Sequence, residues 1–161
     1  NHFQTGRPRA SGKPAVLSGD ICTVGYDDEY NDPLFPFGYG LSYTTFDYSD
    51  LKLDKAKMRR DGKIAATVTV NNTGDRDGTE IVQWYIRDKF ASVVRPVKEL
   101  KGYERVELKA GESKTVRFEI TKDTLAFFTD GGAFDAESGD FDLFVGGNSR
   151  DCLQIGFALV D

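Results

Sequence analysis

Hydrophobic and polar residues alternate with a period of two from Thr45 almost to the end of the chain, which is the pattern of half-buried β-strands. Turn signals such as Asp61-Gly62 and Asp130-Gly131-Gly132 interrupt the alternation every ~8–12 residues. About seven or eight short strands with no helix of note predict an all-β chain, an antiparallel β-sandwich of the immunoglobulin or fibronectin type III kind. The clearest predicted strands cover residues 64–70, 81–86, 116–120, 141–145 and 153–159.

Two of the predicted strands change phase part of the way along. The first strand slips near Ser49-Asp50, and the strand near residues 99–108 slips around Gly102-Tyr103. One extra residue reverses the side to which every later side chain points. We interpret the second slip as a β-bulge.

The strand over residues 81–86 is apolar on both faces, as expected of a central strand or of one covered by a neighbouring domain. Trp84 lies in phase with Val82 and Ile86, which indicates that it packs in the core rather than stacking on a sugar.

The connection at residues 90–96 is too apolar to lie free in water. We therefore expect this connection to pack against another surface.

The first 43 residues show no sustained periodicity. Turn signals at residues 6–8, 11–14 and 18–20 follow one another closely. An irregular stretch of this length is uncommon inside a compact domain. We therefore predict two parts: an irregular arm over residues 1–43, which packs on a domain absent from this chain, and a β-sandwich over residues 44–161.

The segment over residues 33–46 joins the two parts and is rich in aromatic residues, proline and glycine. Pro33 and Pro36 forbid an ordinary helix or central strand, while Gly38 and Gly40 permit sharp turns or close backbone approach. A polar linker would not carry so many large apolar side chains, so we expect an irregular segment that packs against the structure on either side of it. These side chains are Phe35, Phe37, Tyr39, Leu41, Tyr43 and Phe46.

The chain of 161 residues carries 21 basic and 26 acidic residues, for a net charge of −5. This balance argues against nucleic acid as a partner, because nucleic acid requires a basic face. The basic cluster at residues 52–63 flanks the Asp61-Gly62 turn, and we interpret it as a solvated hairpin end. No apolar run approaches the length of a membrane span and no signal peptide opens the chain, so no membrane partner is predicted. The chain begins at Asn1 rather than Met, which indicates a processed product or a piece of a longer protein.

Cys22 and Cys152 are far apart in the sequence and match neither a metal-binding pattern nor a redox CxxC pair. Two free thiols, or a disulfide that ties the arm to the last strand, remain the alternatives. His2 is the only histidine and has no acidic or cysteine partner at a recognisable spacing, so we expect a structural hydrogen bond from it. Asn71 begins an N-glycosylation sequon.

Asp135, Glu137, Asp140 and Asp142 are close together in the sequence, and a glycosidase needs two carboxyl groups across the scissile bond. They fall on a glycine-rich turn and on the predicted solvent-facing side of a strand, which indicates surface charge. Their spacing is not that of an EF-hand calcium loop, and the chain has no Ser-His-Asp or Cys-His arrangement and no dinucleotide fingerprint. The sequence therefore predicts no catalytic, cofactor-binding or metal-binding residue in this chain, and no cofactor.

Motifs along the whole chain resemble, in the right order, the C-terminal region of glycoside hydrolase family 3 enzymes, the β-glucosidases and β-xylosidases. They include an Asn-His-x-x-Thr-Gly-Arg-Pro arm, a Pro-Phe-Gly-Tyr-Gly-Leu-Ser-Tyr-Thr segment and an Asn-Thr-Gly turn with its following strand. No single motif is specific, but the ordered set is. The matching stretches are residues 1–8, 34–44, 72–83, 91–103 and 145–151.

The resemblance implies a C-terminal fibronectin type III-like domain with its preceding arm. In the family, a (β/α)8 barrel carries the nucleophilic aspartate and an α/β domain commonly carries the acid/base glutamate. Both lie upstream, and no residue of this chain matches them. The implied role is a non-catalytic, structural one, with the catalytic domains of the same enzyme as partners and a β-glycoside substrate bound only through those domains. The alternatives are an independent carbohydrate-binding module and an adhesion or spacer module.

Overall fold

The computed structural model describes residues 33–161, and Phe37–Asp161 form one compact unit. Asn1–Pro36 divide off as a second unit. Most of the predicted arm, with His2 and Cys22, lies outside the described residues. Both alternatives for the two thiols therefore remain predictions.

Ten strands and one short helix make up the described part of the chain. The elements are β1 (Phe46–Leu53), β2 (Lys57–Arg59), β3 (Lys63–Asn72), β4 (Gly78–Asp88), β5 (Glu99–Leu108), β6 (Ser113–Thr121), α1 (Lys122–Leu125), β7 (Phe127–Phe128), β8 (Phe134–Asp135), β9 (Gly139–Gly146) and β10 (Leu153–Val160). The prediction of an all-β chain is confirmed. The apolar run from Leu125 to Phe128, which precedes the Asp130-Gly131-Gly132 turn, predicts one strand of a hairpin. In the structure Leu125 instead ends α1, where the Thr121 and Thr124 side chains cap the helix reciprocally.

Two sheets face each other across a single apolar core. The three-stranded sheet has the order β1-β3-β6, and the five-stranded sheet has the order β2-β10-β9-β4-β5. All pairings are antiparallel except that of β2 with β10, which is parallel. The predicted alternation of β3 is confirmed, because Ile64, Ala66, Val68 and Val70 are fully buried. This is the predicted β-sandwich.

Both predicted phase changes are present in the sheets. In β1 the register with β3 shifts between Ser49 and Lys52, and Asp50 adopts a left-handed conformation with φ of 54°. In β5 the register with β4 shifts where Lys101 has no opposite residue, one position before Gly102. Each irregularity returns the following residues to the side that keeps apolar groups in the core.

Trp84 lies in the core, as predicted, with only 1 % of its surface exposed. Its indole stacks on the Phe118 ring at 5.3 Å between centroids, with the two planes 12° apart. Gly102 lies opposite Trp84 on β5, and a Cβ there would come within 2.6 Å of the Phe118 ring. Glycine thus leaves the space that Phe118 needs to reach the indole.

Asn72 ends β3 and is a buried polar residue, with 2 % of its surface exposed. Its Oδ1 accepts hydrogen bonds from the Thr44 hydroxyl (2.6 Å) and the Gly74 N–H (3.2 Å). Its Nδ2 donates to the carbonyls of Arg76 (2.7 Å) and Leu108 (3.2 Å). The asparagine of the Asn-Thr-Gly turn therefore ties its own turn to Thr44, before β1, and to Leu108, at the end of β5.

Replacing Asn72 by alanine is expected to lower the free energy of unfolding by about 2–3 kcal/mol, because buried groups lose their partners. Urea denaturation of the variant measures the loss. Asn71→Ala is the matched control, since the Asn71 amide makes longer bonds, of 3.2 and 3.5 Å, at the surface of the same strand. Equal losses from the two variants would contradict the role of Asn72.

Candidate functional site

The lead-in segment, residues 37–44, has no regular secondary structure and is fixed to the outer face of the five-stranded sheet. The Gln83 Nε2 donates to the carbonyls of Gly38 (2.9 Å) and Gly147 (2.6 Å). The Ser149 N–H donates to the Phe37 carbonyl at 2.9 Å. The Tyr85 hydroxyl in turn donates to Gln83 Oε1 at 2.5 Å. Two β4 side chains that point away from the core therefore hold the entry of the lead-in segment.

Gly38 fits this anchor because it has no side chain. Its φ is +80°, which strains any other L-residue. A Cβ at this position would also overlap the Gln83 Oε1 and lie 2.8 Å from the Tyr85 hydroxyl. The predicted close backbone approach is therefore present at Gly38.

The outer face of the five-stranded sheet is unusually apolar around the anchor. Tyr85 and Phe144 are 1 % and 7 % exposed, and Lys98 covers Phe144 with its Nζ 4.1 Å from the ring centroid. Phe37 meets Tyr85 edge to face at 6.4 Å. The neighbouring side chains on this face stay exposed and form what we call the outer-face patch: Phe37, Ile81, Leu100 and Tyr103.

A second exposed apolar surface lies on the loop after β4 and the β7–β8 hairpin, which we call the loop-end patch: Phe90, Val94, Phe128 and Phe134. These side chains are between 61 % and 101 % exposed. Hydrogen bonds link the two loops, because the Ser92 N–H donates to Glu137 (2.9 Å) and the Ser92 hydroxyl accepts from the Asp130 N–H (3.4 Å).

Arg95 anchors the loop below the loop-end patch. Its guanidinium lies 3.9 Å from the centroid of the Phe127 ring, and Nε and Nη2 donate to Glu99 Oε1 at 3.1 and 2.6 Å. Burial opposes ionisation of Glu99, but hydrogen bonds from Lys101 and Arg95 prevail and lower the pKa of this carboxyl. Burial raises the pKa of Asp88, the last residue of β4. The loop is therefore anchored by the Arg95–Glu99 ion pair, while its apolar side chains Phe90 and Val94 are exposed.

The carboxylates near the β8–β9 connection lie in local contacts with basic or polar groups. Asp135 pairs with Arg60 and with Lys122 (2.8 Å). The expectation that Asp142 faces solvent was wrong: it is 6 % exposed and pairs with Lys89 at 3.1 Å. Phe144 and Asp142 share the outer face that other side chains cover. Among residues 33–161, no group of three or more His, Cys, Asp or Glu side chains is arranged to hold a metal ion.

A cleft of about 680 Å³ opens between the lead-in segment, β1, the start of β4 and the β9–β10 turn. At the cleft the Tyr48 hydroxyl donates to Glu80 Oε1 at 2.6 Å, and both residues are half-buried. Burial raises the pKa of Glu80, and burial together with the Glu80 contact raises the pKa of Tyr48. Cys152 also lines the cleft, where its thiol donates to the Asn148 carbonyl at 2.9 Å. No motif in the sequence indicates this cleft.

Comparison with known proteins agrees with the architecture. Residues 80–149 match the fibronectin type III-like domain family. The chain is 48 % identical over 160 residues to a periplasmic β-glucosidase of Salmonella typhimurium, covering 99 % of this chain and 20 % of that protein. It is 44 % identical to a putative β-xylosidase of Formosa agariphila over 84 % of this chain and 18 % of that protein. A crystal structure of β-glucosidase from Listeria innocua in complex with gluconolactone superposes with a TM-score of 0.81 at 36 % identity, covering 97 % of this chain and 21 % of that one.

The fold is thus that of a fibronectin type III-like β-sandwich. More particularly, the chain matches the fibronectin type III-like region of glycoside hydrolase family 3 β-glucosidases and β-xylosidases. It spans about a fifth of the length of the curated relatives it matches, so it corresponds to one domain of a larger protein. Among the described residues, no helix has the length and apolarity that a membrane crossing requires.

Proposed function

We propose that this chain is a structural, non-catalytic domain of a β-glucosidase-type enzyme that hydrolyses O-glycosyl bonds, and that it braces the catalytic domains. The observation that carries the proposal is that the chain matches about a fifth of the length of relatives named β-glucosidase and β-xylosidase. The catalytic carboxylates and the β-glycoside site then belong to the rest of the enzyme. The predicted arm, residues 1–43, would lie against those domains.

The two exposed apolar patches supply docking surfaces for such a brace. Isolated soluble domains seldom leave clustered aromatic side chains in water, and patches of this kind mark interaction sites. The outer-face patch lies beside the point where the chain enters the sandwich, and the loop-end patch lies on a loop that Arg95 anchors. We infer that both patches are covered by the catalytic domains in the assembled enzyme.

The double variant Phe90→Asp, Val94→Asp tests the loop-end patch. In the assembled enzyme it is expected to cost about 2 kcal/mol or more, since two charges would enter an apolar interface. In the 161-residue chain alone the same substitutions are expected to be neutral, because both side chains are exposed, at 84 % and 101 %. Hydrogen exchange of the β4 peptide, read by mass spectrometry in both contexts, measures the difference.

The control for this experiment is Lys114→Asp. Lys114 is exposed and lies near the start of β6, in the three-stranded sheet. Equal behaviour of the double variant in the two contexts would count against docking through the loop end. Hydrolysis of aryl β-glycosides by the pure chain alone would overturn the non-catalytic assignment. Retention of the pure chain on polysaccharide would instead favour a carbohydrate-binding module.

A further inference from the structure

The cleft beside the lead-in segment carries an excess of negative charge. Asp47, Glu80 and Asp151 line it, and among residues 33–161 no lysine, arginine or histidine belongs to the lining. Among the described residues, none of these three carboxylates takes part in an ion pair within 4.0 Å. Elsewhere the semi-buried carboxylates of Glu99 and Asp142 have cationic partners.

Glu80 is the carboxylate for which the missing cation matters most. It is half-buried, and a charged group removed from water costs free energy unless a partner compensates it. The Tyr48 hydroxyl gives it one neutral hydrogen bond of 2.6 Å. Gly147 closes the adjacent wall so tightly that a Cβ there would lie 2.5 Å from Glu80 Oε1. Glu80 is therefore held in a confined position, while Asp47 and Asp151 are exposed beside it.

The lining also selects the kind of group that fits. Three carboxylates repel phosphates and other anions, and they attract ammonium or guanidinium groups. The rings of Tyr39, Phe46 and Tyr48 supply apolar and π surface for the stem and face of a long cationic side chain. The nearby Leu41 and Tyr43 are 89 % and 92 % exposed, so the rim of the cleft is an uncovered apolar surface as well.

We propose that this cleft receives an arginine or lysine side chain from the remaining, larger part of the enzyme. The inference rests on the proposed function, because it needs a neighbouring domain in the same protein. The relatives provide about four-fifths of their length outside the region that this chain matches. The cation would pair with Glu80, while Leu41 and Tyr43 pack against the surface that carries it.

The test is Glu80→Gln, compared in the 161-residue chain and in the assembled enzyme. Gln keeps one oxygen that accepts from the Tyr48 hydroxyl, replaces the other oxygen by an NH2 group and removes the charge. In the chain alone, the β4 amides should exchange roughly threefold more slowly, because an uncompensated charge has gone. In the assembled enzyme the same amides should exchange roughly tenfold faster, because a buried cation is left unpaired. The effect of one substitution thus reverses sign between the two contexts.

Asp75→Asn is the matched control, since it removes one negative charge from an exposed turn at the same end of the sandwich, outside the cleft lining. It should change exchange less than twofold in either context. Slower exchange of Glu80→Gln in both contexts would overturn the proposal. Faster exchange already in the chain alone would also overturn it, because the cation would then come from this chain.

The experiments can refute the bracing role and the cation site independently of each other. If Phe90→Asp, Val94→Asp weakens only the assembled enzyme while Glu80→Gln slows exchange everywhere, the brace stands and the cation site is refuted. If neither change distinguishes the assembled enzyme from the chain alone, both are refuted. Protection of the isolated chain by glucose or cellobiose that Glu80→Gln abolishes would assign the cleft to a sugar and would overturn the cation site.

Discussion

Replacing Trp84 by alanine is expected to lower the free energy of unfolding by about 3–5 kcal/mol, a large share of the stability of a domain this size. The indole is 1 % exposed and stacks on Phe118 between the two sheets. Alanine removes this apolar surface and leaves a cavity that the flanking strands β5 and β9 hold open, because both stay paired to β4. Urea denaturation followed by circular dichroism measures the loss.

Two variants separate packing from the mere loss of an aromatic ring. Tyr103→Ala removes an aromatic side chain from the next strand, where 73 % of the residue is exposed, and should cost less than about 1 kcal/mol in the isolated chain. Trp84→Phe keeps a ring against Phe118 and should lose about half as much as alanine. Comparable losses for Trp84→Ala and Tyr103→Ala would show that Trp84 does not organise the core.

The features predictable from sequence were those that depend on neighbours along the chain. Alternation placed Val82, Trp84 and Ile86 in the core, and the phase change near Gly102 marked a real bulge. These patterns follow from the two-residue period of a strand, which needs no knowledge of what lies across the sheet. The same reasoning failed at Asp142, where the outer face of the sheet turned out to be covered.

The contacts that hold the lead-in segment, the cleft and the loop-end patch join residues far apart in the sequence. Gln83 holds Gly38 across 45 positions, and Tyr48 meets Glu80 across 32. Neither partner carries a local signal, since glutamine or glutamate on a strand normally indicates a solvated face. The apolar character of the loop at Phe90 was visible in the sequence, but its anchoring contact between Arg95 and Phe127 was not. Tertiary pairing, and not periodicity, decides which outward-facing side chains become buried.

The lead-in segment links these observations, because it both enters the sandwich and forms one wall of the acidic cleft. A docked domain can brace its neighbour only if the connecting segment is itself fixed. The hydrogen bonds from Gln83 and Ser149 to the backbone at Phe37 and Gly38 provide that fixation. The position of the cleft wall therefore depends on the anchor at Gly38.

Gly38→Ala is expected to release this anchor and to lower the free energy of unfolding by about 3 kcal/mol. The left-handed backbone at φ +80° accounts for about 1–2 kcal/mol of the loss. The new Cβ also displaces Gln83, whose buried amide then loses partners at about 1–3 kcal/mol. Urea denaturation gives the total, and amide exchange of residues 37–44 reports release of the segment.

Gly40→Ala is the control two residues further along the same segment. It has no positive φ, and no atom lies within 4 Å of a Cβ built there, so alanine should be tolerated within about 0.5 kcal/mol. Gly38→Ala should accelerate exchange throughout the lead-in segment, while Gly40→Ala should leave it unchanged. If the two variants behave alike, Gln83 and Tyr85 do not hold the lead-in segment, and the cleft wall must be fixed by the neighbouring domain instead.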